Sequence, residues 1–300
     1  MATARAMDIV RISATSSAAE PVVFRDELVK LIDVSKCIGC KACQAACIEW
    51  NDTHPEIGYN TGTYENPHDL TPEMYTLMRF TEWENPETGS LEWLIRKDGC
   101  MHCAEPGCLK ACPAPGAIVQ YANGVVDFIA ENCIGCGYCV RGCPFNIPRI
   151  SKVAGKARKC TLCSDRIAVG GGPACQKACP TQAIVFGTKE EMFAHAQSRI
   201  EDLKSRGFDK AGLYNPEGVG GTHVMYVLHH ADKPEIYSNL PKNPTISPMV
   251  QAWKGFTRAI GFAALAAAVI AGIAHYFTRG PDRVTNEDEE KARHLAEGRT

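Results

Sequence analysis

Sixteen cysteines fall into four groups of four, and no cysteine lies outside them. Cys37, Cys40, Cys43 and Cys47 follow the spacing C-x2-C-x2-C-x3-C. Cys133, Cys136, Cys139 and Cys143 repeat it and are followed by Pro144. Cys100, Cys103, Cys108 and Cys112, before Pro113, form C-x2-C-x4-C-x3-C-P. Cys160, Cys163, Cys175 and Cys179, before Pro180, form C-x2-C-x11-C-x3-C-P. Cysteines this close together suit a metal, whereas a disulfide framework spreads its partners through a small secreted chain. A [4Fe–4S] cube takes four thiolates, one for each iron. A loop with a cysteine every three residues wraps three corners of a cube, and Gly39 and Gly135 allow the backbone to approach it closely. The fourth cysteine sits too far round to join the same cube, and in two-cluster ferredoxins it serves the other cluster. Zinc is the competing metal. Zinc ribbons, however, draw on two separated pairs and leave a third cysteine at x2 spacing without a role. The spacing therefore predicts four [4Fe–4S] clusters held by all sixteen cysteines.

Chain order indicates which groups complete each other. The second and third groups are joined by "AIVQYANGVVDFI", a hairpin pattern with Asn123-Gly124 at its turn, which is how a two-cluster ferredoxin is laid out. Cys143 then joins Cys100, Cys103 and Cys108, and Cys112 joins Cys133, Cys136 and Cys139. The flanking groups are left to each other: Cys47 with Cys160, Cys163 and Cys175, and Cys179 with Cys37, Cys40 and Cys43. A tandem pairing, one with two and three with four, is the open alternative. The expected fold class is α+β: two ferredoxin-like [4Fe–4S] units, one inserted in the other, followed by a single C-terminal transmembrane helix.

The elements around the cysteines are read as follows. Residues 1–30 form an N-terminal arm and 31–99 the first half of the split unit. Within the latter, "MYTLMRFTEW" and "LEWLIRK" look like strands joined by the turn-rich "ENPETGS", with a decorated loop as the alternative. Residues 100–150 are the inserted unit and 151–187 the second half of the split one. Over 188–252, a helix starts at a capping box of Thr188 and Glu191. It carries Met192, Phe193, Ala196, Ile200 and Leu203 on one face and stops at Gly207. "AIVFG" before it and "THVMYVL" after it read as strands. Residues 253–279 are the membrane segment and 280–300 a solvated tail. "AIGFAALAAAVIAGIAHYF" (259–277) has no charged residue. As a helix rising ~1.5 Å per residue it is about 28 Å long, close to the ~30 Å hydrocarbon thickness. Trp253, Lys254 and Arg258 precede it, and Tyr276 and Arg279 close it, as interfacial anchors do. An alanine-rich core helix is the competing reading.

Composition narrows the function. Hydrophobic content of 45% and charged content of 22% are ordinary for a globular chain. A net charge of −2 gives no pull toward nucleic acid, so no nucleic-acid partner is expected. The first residues hold neither an apolar h-region nor an adjacent arginine pair, so no signal peptide of the chain's own is expected. There is no phosphate loop, nucleophile elbow or molybdopterin signature, which makes the chain an electron carrier and not a catalyst. Lys36 and Lys41 stand beside the first cysteine group, where they would raise a cluster's potential or act as solvated surface lysines. His102 lies between two ligands and is not counted as one. His223, His229 and His230 read as hydrogen-bonding residues. His275, near one end of the apolar segment, faces a partner helix or contacts a haem or quinone.

The sequence resembles the iron–sulfur (beta) subunit of membrane-bound respiratory formate dehydrogenases, over roughly residues 30–280. The resemblance is carried by "LIDVSKCIGCKACQAACIEWND", "LIRKDGCMHCAEPGCLKACPAPGAIVQYANG", "ENCIGCGYCVRGCPFNIPR" and "YNPEGVGGTHVMYVLHHAD". It implies the nested pairing and four [4Fe–4S] clusters. Relatives that replace one cysteine hold a three-iron cluster, whereas this chain keeps all sixteen. It also implies electrons arriving from a molybdopterin (molybdenum or tungsten) catalytic alpha subunit. They would leave to a membrane cytochrome b gamma subunit and quinone. The expected location is the cytoplasmic (inner) membrane, crossed once, with lipid around the helix and the cluster domain on the periplasmic side, carried there by a partner's twin-arginine signal. Arg279 and Arg283 agree with a cytoplasmic tail, while Lys254 and Arg258 blunt that charge asymmetry. The equivalent subunit of a membrane-bound hydrogenase or another molybdopterin oxidoreductase is the alternative.

Overall fold

The stretch "LVKLID" forms a strand buried along its whole length, and the cysteine groups are arranged around it. The computed structural model describes residues 7–14, 24–60, 62–238, 240–250, 256–279 and 285–298. It divides into two units, Met1–Gln251 and Ala252–Thr300. The first half of the chain gives strands β1 (Ile9–Ile12) and β2 (Leu28–Asp33), helix α1 (Ala42–Asn51), strands β3 (Thr76–Glu84) and β4 (Leu91–Gly99), and helix α2 (Gly107–Ala111). Next come β5 (Ile118–Tyr121), β6 (Val126–Phe128), α3 (Tyr138–Gly142), β7 (Arg149–Ile150) and β8 (Ala157–Arg158). Then follow α4 (Ser164–Ala168), α5 (Ala174–Lys177), β9 (Ile184–Thr188), α6 (Lys189–Ser205), β10 (Gly212–Tyr214) and β11 (Val224–Leu228). The second unit holds α7 (Phe256–Arg279) and α8 (Asn286–Ala296).

The central sheet runs β10-β11-β2-β9, with β2 parallel to β11 and antiparallel to β9. Alternation along a strand gives it two faces. Val29, Leu31, Met225 and Val227 pack on Met192, Ala196 and Leu203 of α6. Leu28, Ile32, Val224, Tyr226 and Leu228 belong to the core that contains Cys43 and Cys175. One side of the sheet thus anchors a helix, and the other backs the cysteine loops. Helix α6 begins where its capping box predicts: Glu191 N–H donates to the Thr188 hydroxyl at 3.3 Å and Thr188 N–H to the Glu191 carboxylate at 2.9 Å. Gly207, at φ +92°, follows its last turn.

Strands β5 and β6 pair antiparallel across the Asn123-Gly124 turn. The stretch read as an N-terminal arm is more structured than that reading. Within it β1 pairs with the outer edge of β5, and buried Arg11 reaches Glu105 at 2.7 Å. Four residues are too short a run for periodicity to reveal, and the unpaired β5 edge supplies the reason for the strand. Residues 1–6 and 15–23 of that arm lie outside the described ones.

The insertion between the first two cysteine groups is a long antiparallel pair, β3 with β4. It is not surface decoration. Met78 and Ile95 join the core, and β4 ends at Gly99, directly before Cys100.

In the second unit, the side chains of α7 from Ile260 onward are exposed, including Phe262, Leu265, Ile270, Ile273 and Phe277. An uncovered apolar helix of this length needs lipid or a partner helix around it. Trp253, Lys254 and Arg283, read as flanking residues, lie outside the described ones.

The cap makes one measurable claim. Thr188→Ala should lower stability by about 1 kcal/mol, read as a drop in the thermal midpoint with the far-ultraviolet spectrum unchanged. An unaltered midpoint would mean that packing alone defines the start of α6.

Candidate iron–sulfur centres

In every cysteine group the last two members are four residues apart, and in the structure a short helix carries them. Helix α1 holds Cys43 and Cys47; α2 holds Cys108 and is capped by Cys112; α3 holds Cys139 and is capped by Cys143. Helix α5 holds Cys175, and Cys179 follows its cap. Four helical residues rise about 6 Å and leave both side chains on one side. That separation suits two neighbouring centres better than two corners of one. Helix α1 packs on α5 and α2 on α3. The second contact is very close: a Cβ on Gly107 would stand 2.2 Å from the Gly142 carbonyl oxygen, and one on Gly142 would stand 2.5 Å from Ala111 Cβ.

Three cavities are each lined by four cysteines. One holds Cys112, Cys133, Cys136 and Cys139, another Cys100, Cys103, Cys108 and Cys143, and the third Cys47, Cys160, Cys163 and Cys175. Their empty volumes, solvent at the mouths included, are about 320, 350 and 300 Å³. The remaining four also meet, with Cys37 beside Cys179 and Cys40, and Cys43 beside Cys37 and Cys179. Electrostatic proximity links these four sets one to the next, and their succession is called a row below. Cys43 lies within electrostatic range of Cys175, Cys100 of Cys160, and Cys108 of Cys139. Each end of the row has an exposed cysteine, Cys40 at one and Cys136 at the other.

Backbone amides point at the sulfurs. His102 N–H lies 3.4 Å from Cys100 Sγ, Leu162 N–H 3.4 Å from Cys160, Ala157 N–H 3.4 Å from Cys133 and Ala174 N–H 3.5 Å from Cys163. Left-handed backbone at Gly39 (φ +67°) and Gly135 (φ +70°) turns the loops tightly; added Cβ atoms there would stand 2.7 Å from the Phe80 ring and 2.2 Å from the Gly155 carbonyl oxygen.

Burial pushes most of these thiols up, Cys43, Cys143 and Cys163 to about 11 and Cys139 to about 12. Without a metal they stay protonated, and a bound metal centre would supply the charge that makes them thiolates.

Cys160 is the exception. Burial works against its thiolate too, but the ammonium groups of Lys30 and Lys97 and the Leu162 amide outweigh it and lower the pKa. Lys30, Lys97 and Lys159 are only 1%, 4% and 4% exposed. Lys30 and Lys97 line the cavity of Cys47, and Lys159 lines that of Cys100. Among the described residues no carboxylate pairs with Lys30 or Lys97. A buried ammonium without a carboxylate needs another anion. An all-sulfur donor set that becomes anionic on binding iron provides one, so these residues fit the cluster chemistry.

The other singled-out residues take separate roles. Lys41 donates to the Tyr64 carbonyl and lies 5.6 Å from the Phe80 ring, so the inserted hairpin engages it. Lys36 is half-buried at the end of a single 3₁₀ turn. Buried His102 accepts the Val126 amide at Nδ1 (3.1 Å); burial, then Lys159 and Lys30, hold it neutral. Its Nε2 makes no hydrogen bond of normal geometry, with the Cys160 backbone as its polar neighbour. His223 bridges the His102 carbonyl (2.8 Å) and Glu27 (3.2 Å), and its hydrogen bond, helped by Lys189 against the cost of burial, holds the Glu27 carboxyl down at about 2. His230 bonds Glu92 at 2.8 Å, and His229 stacks near Phe208. The three lysines escaped the sequence reading, although a lysine inside "LVKLID" or "LIRK" is a visible interruption of an apolar run.

The folded cysteine motifs and the apolar helix define a ferredoxin-like iron–sulfur protein with a membrane anchor. Two family models described as 4Fe-4S dicluster domains match residues 91–189 and 36–116, and one described as "Formate dehydrogenase N, transmembrane" matches 246–289. The nitrate-inducible formate dehydrogenase iron–sulfur subunit of Escherichia coli is 59% identical over 286 residues, covering 94% of this chain and 97% of that one. The formate dehydrogenase-O iron–sulfur subunit of the same species is 57% identical, with 95% of each chain covered. The formate dehydrogenase iron–sulfur subunit of Haemophilus influenzae is 58% identical, with 96% and 92% covered. The chain belongs to the family of formate dehydrogenase iron–sulfur subunits, electron-transfer chains anchored by a C-terminal membrane helix.

Gly107→Ala tests the close helix contact. It should cost about 1–3 kcal/mol and reduce the iron bound per chain, because α2 and α3 carry cysteines of two adjoining cavities. Full iron content with an unchanged melting profile would show that the contact is dispensable.

Proposed function

We propose that this chain passes electrons one at a time through four [4Fe–4S] clusters. In row order they are held by Cys37, Cys40, Cys43 and Cys179; by Cys47, Cys160, Cys163 and Cys175; by Cys100, Cys103, Cys108 and Cys143; and by Cys112, Cys133, Cys136 and Cys139. The observation that carries this reading is the lining of the three cavities, each by one complete set drawn from two groups. The tandem alternative would need Cys47 in the cavity of Cys100, where Cys143 stands instead. When bound, the clusters supply the one-electron chemistry. The chain's own part is to supply thiolates, to aim amide N–H groups at sulfur and to keep water out of the two inner sites. Both ends of the row meet the surface beside exposed apolar side chains, Ile38 at one and Ile134 with Tyr138 at the other, which suits docking of a donor and an acceptor.

The donor in this reading is a molybdopterin (molybdenum or tungsten) catalytic alpha subunit that oxidises formate, and the acceptor is a membrane cytochrome b gamma subunit that reduces quinone. The names of the relatives support formate over hydrogen as the source. Helix α7 crosses the cytoplasmic membrane once, with the cluster unit on the periplasmic side. Arg279 at the end of α7 agrees with a cytoplasmic tail, but Arg258 near its start balances that charge, so the orientation rests on the likeness to the relatives.

Two measurements bear on this. Electron paramagnetic resonance of the detergent-solubilised complex should show [4Fe–4S] signals appearing on addition of formate, with about sixteen irons per copy of this chain. Signals that ignore formate and respond only to hydrogen would keep the wire and discard the donor. In intact spheroplasts, added protease should degrade the cluster unit; a protected unit would reverse the orientation.

A further inference from the structure

The three buried lysines are distributed unevenly along the row. Strand parity puts Lys30 on the same face of β2 as Leu28 and Ile32, both in the core with Cys43 and Cys175. Lys97 reaches the same cavity from β4, where its ammonium donates to the Thr76 hydroxyl. Lys159 lies on the far side, donating to the Val126 carbonyl at 2.6 Å and the Cys160 carbonyl at 2.9 Å, over the Phe128 ring. The Cys47, Cys160, Cys163 and Cys175 cavity therefore faces two ammonium groups that have no carboxylate partner among the described residues, with a third at its border.

The other sites are poorer in buried positive charge. Lys159 lines the Cys100 cavity, where Asp127 partly offsets it. Among the described residues the Cys112, Cys133, Cys136 and Cys139 cavity has no charged lining residue, and Lys156 donates to the Cys133 carbonyl at 2.6 Å. At the Cys37 end, Lys97 approaches through Cys43, and Lys41 is occupied by the inserted hairpin.

We infer that Lys30 and Lys97 make the second cluster in the row, held by Cys47, Cys160, Cys163 and Cys175, the most easily reduced of the four. This rests on the ligand sets proposed above. A cluster gains one negative charge when it takes an electron from its neighbour, which is oxidised by one. Fixed positive charge in a site of low dielectric favours the reduced form. Two ammonium groups at one interior station create an electron well. One electron of the pair released by formate waits there while the other moves on. Lys30 and Lys97 are positioning residues: they set where the electron rests and do not carry it.

The test is a redox titration of the purified complex followed by electron paramagnetic resonance, with iron and sulfide measured on every sample. Lys97→Met and Lys30→Met should each move the same transition, the highest of the four, to lower potential. The shift should be at least tenfold in the reduction equilibrium, about 59 mV for a one-electron couple. Lys97→Arg should restore most of it, and exposed Lys152→Met should move nothing. If Lys97→Met does not assemble, Lys97→Gln keeps a donor for Thr76, removes the charge and must give the same shift. Unshifted midpoints with full iron, or a shift in a different transition for each lysine, would overturn the inference. Iron well below four clusters in the unsubstituted complex would instead overturn the ligand sets beneath it.

Discussion

The structure depends on the one helical turn between the third and fourth cysteines of each group. A single loop can enclose three corners of a metal centre but cannot turn back to close the fourth. The next cysteine is carried about 6 Å along a helix and opens onto the neighbouring site. Each of the three cysteine-lined cavities is then completed by a residue from another cysteine group. Cys47 lines a cavity with Cys160, and Cys143 lines one with Cys100. The helices must pack in pairs, α1 on α5 and α2 on α3, and Gly107 and Gly142 bring the second pair into near backbone contact. The central sheet follows from the same need, since β2 and β11 back the loops that α6 then covers from behind.

Closely spaced redox sites impose an electrostatic cost that a protein core does not ordinarily meet. Anionic centres bury poorly unless hydrogen bonds and opposite charges surround them. Here amides turn toward Cys100, Cys133, Cys160 and Cys163, and three lysines are buried where few proteins tolerate one. The arrangement explains why β4 carries a lysine into the core and why Asp127 sits near Lys159, held by the Ser164 hydroxyl at 2.6 Å.

Much of this was legible in the residues, for physical reasons. The cysteine spacing encodes a ligand geometry, the Asn123-Gly124 pair encodes a turn, and Thr188 with Glu191 encodes a helix start. Chain order alone leaves Cys47 between a nested and a tandem partner, whereas in the fold Cys47 lines the cavity of Cys160 and Cys143 that of Cys100. Other features depend on contacts distant in sequence. β1 is a four-residue run that becomes a strand only because β5 offers an edge. The β3–β4 hairpin reads as an excursion until Phe80 and Ile95 are seen against Gly39. Lys30 looks like the polar position of a half-exposed strand, and only the layers on both sides of β2 show that it is enclosed.

The central claim is that each site is closed by a cysteine from another group. An experimental density map of the assembled complex, with anomalous signal recorded at the iron edge, tests it most directly. Four compact iron centres in one row are expected, with Cys47 bonded to the centre that also holds Cys160, Cys163 and Cys175. Cys47 bonded beside Cys100 and Cys103, or single metal ions in place of clusters, would contradict it.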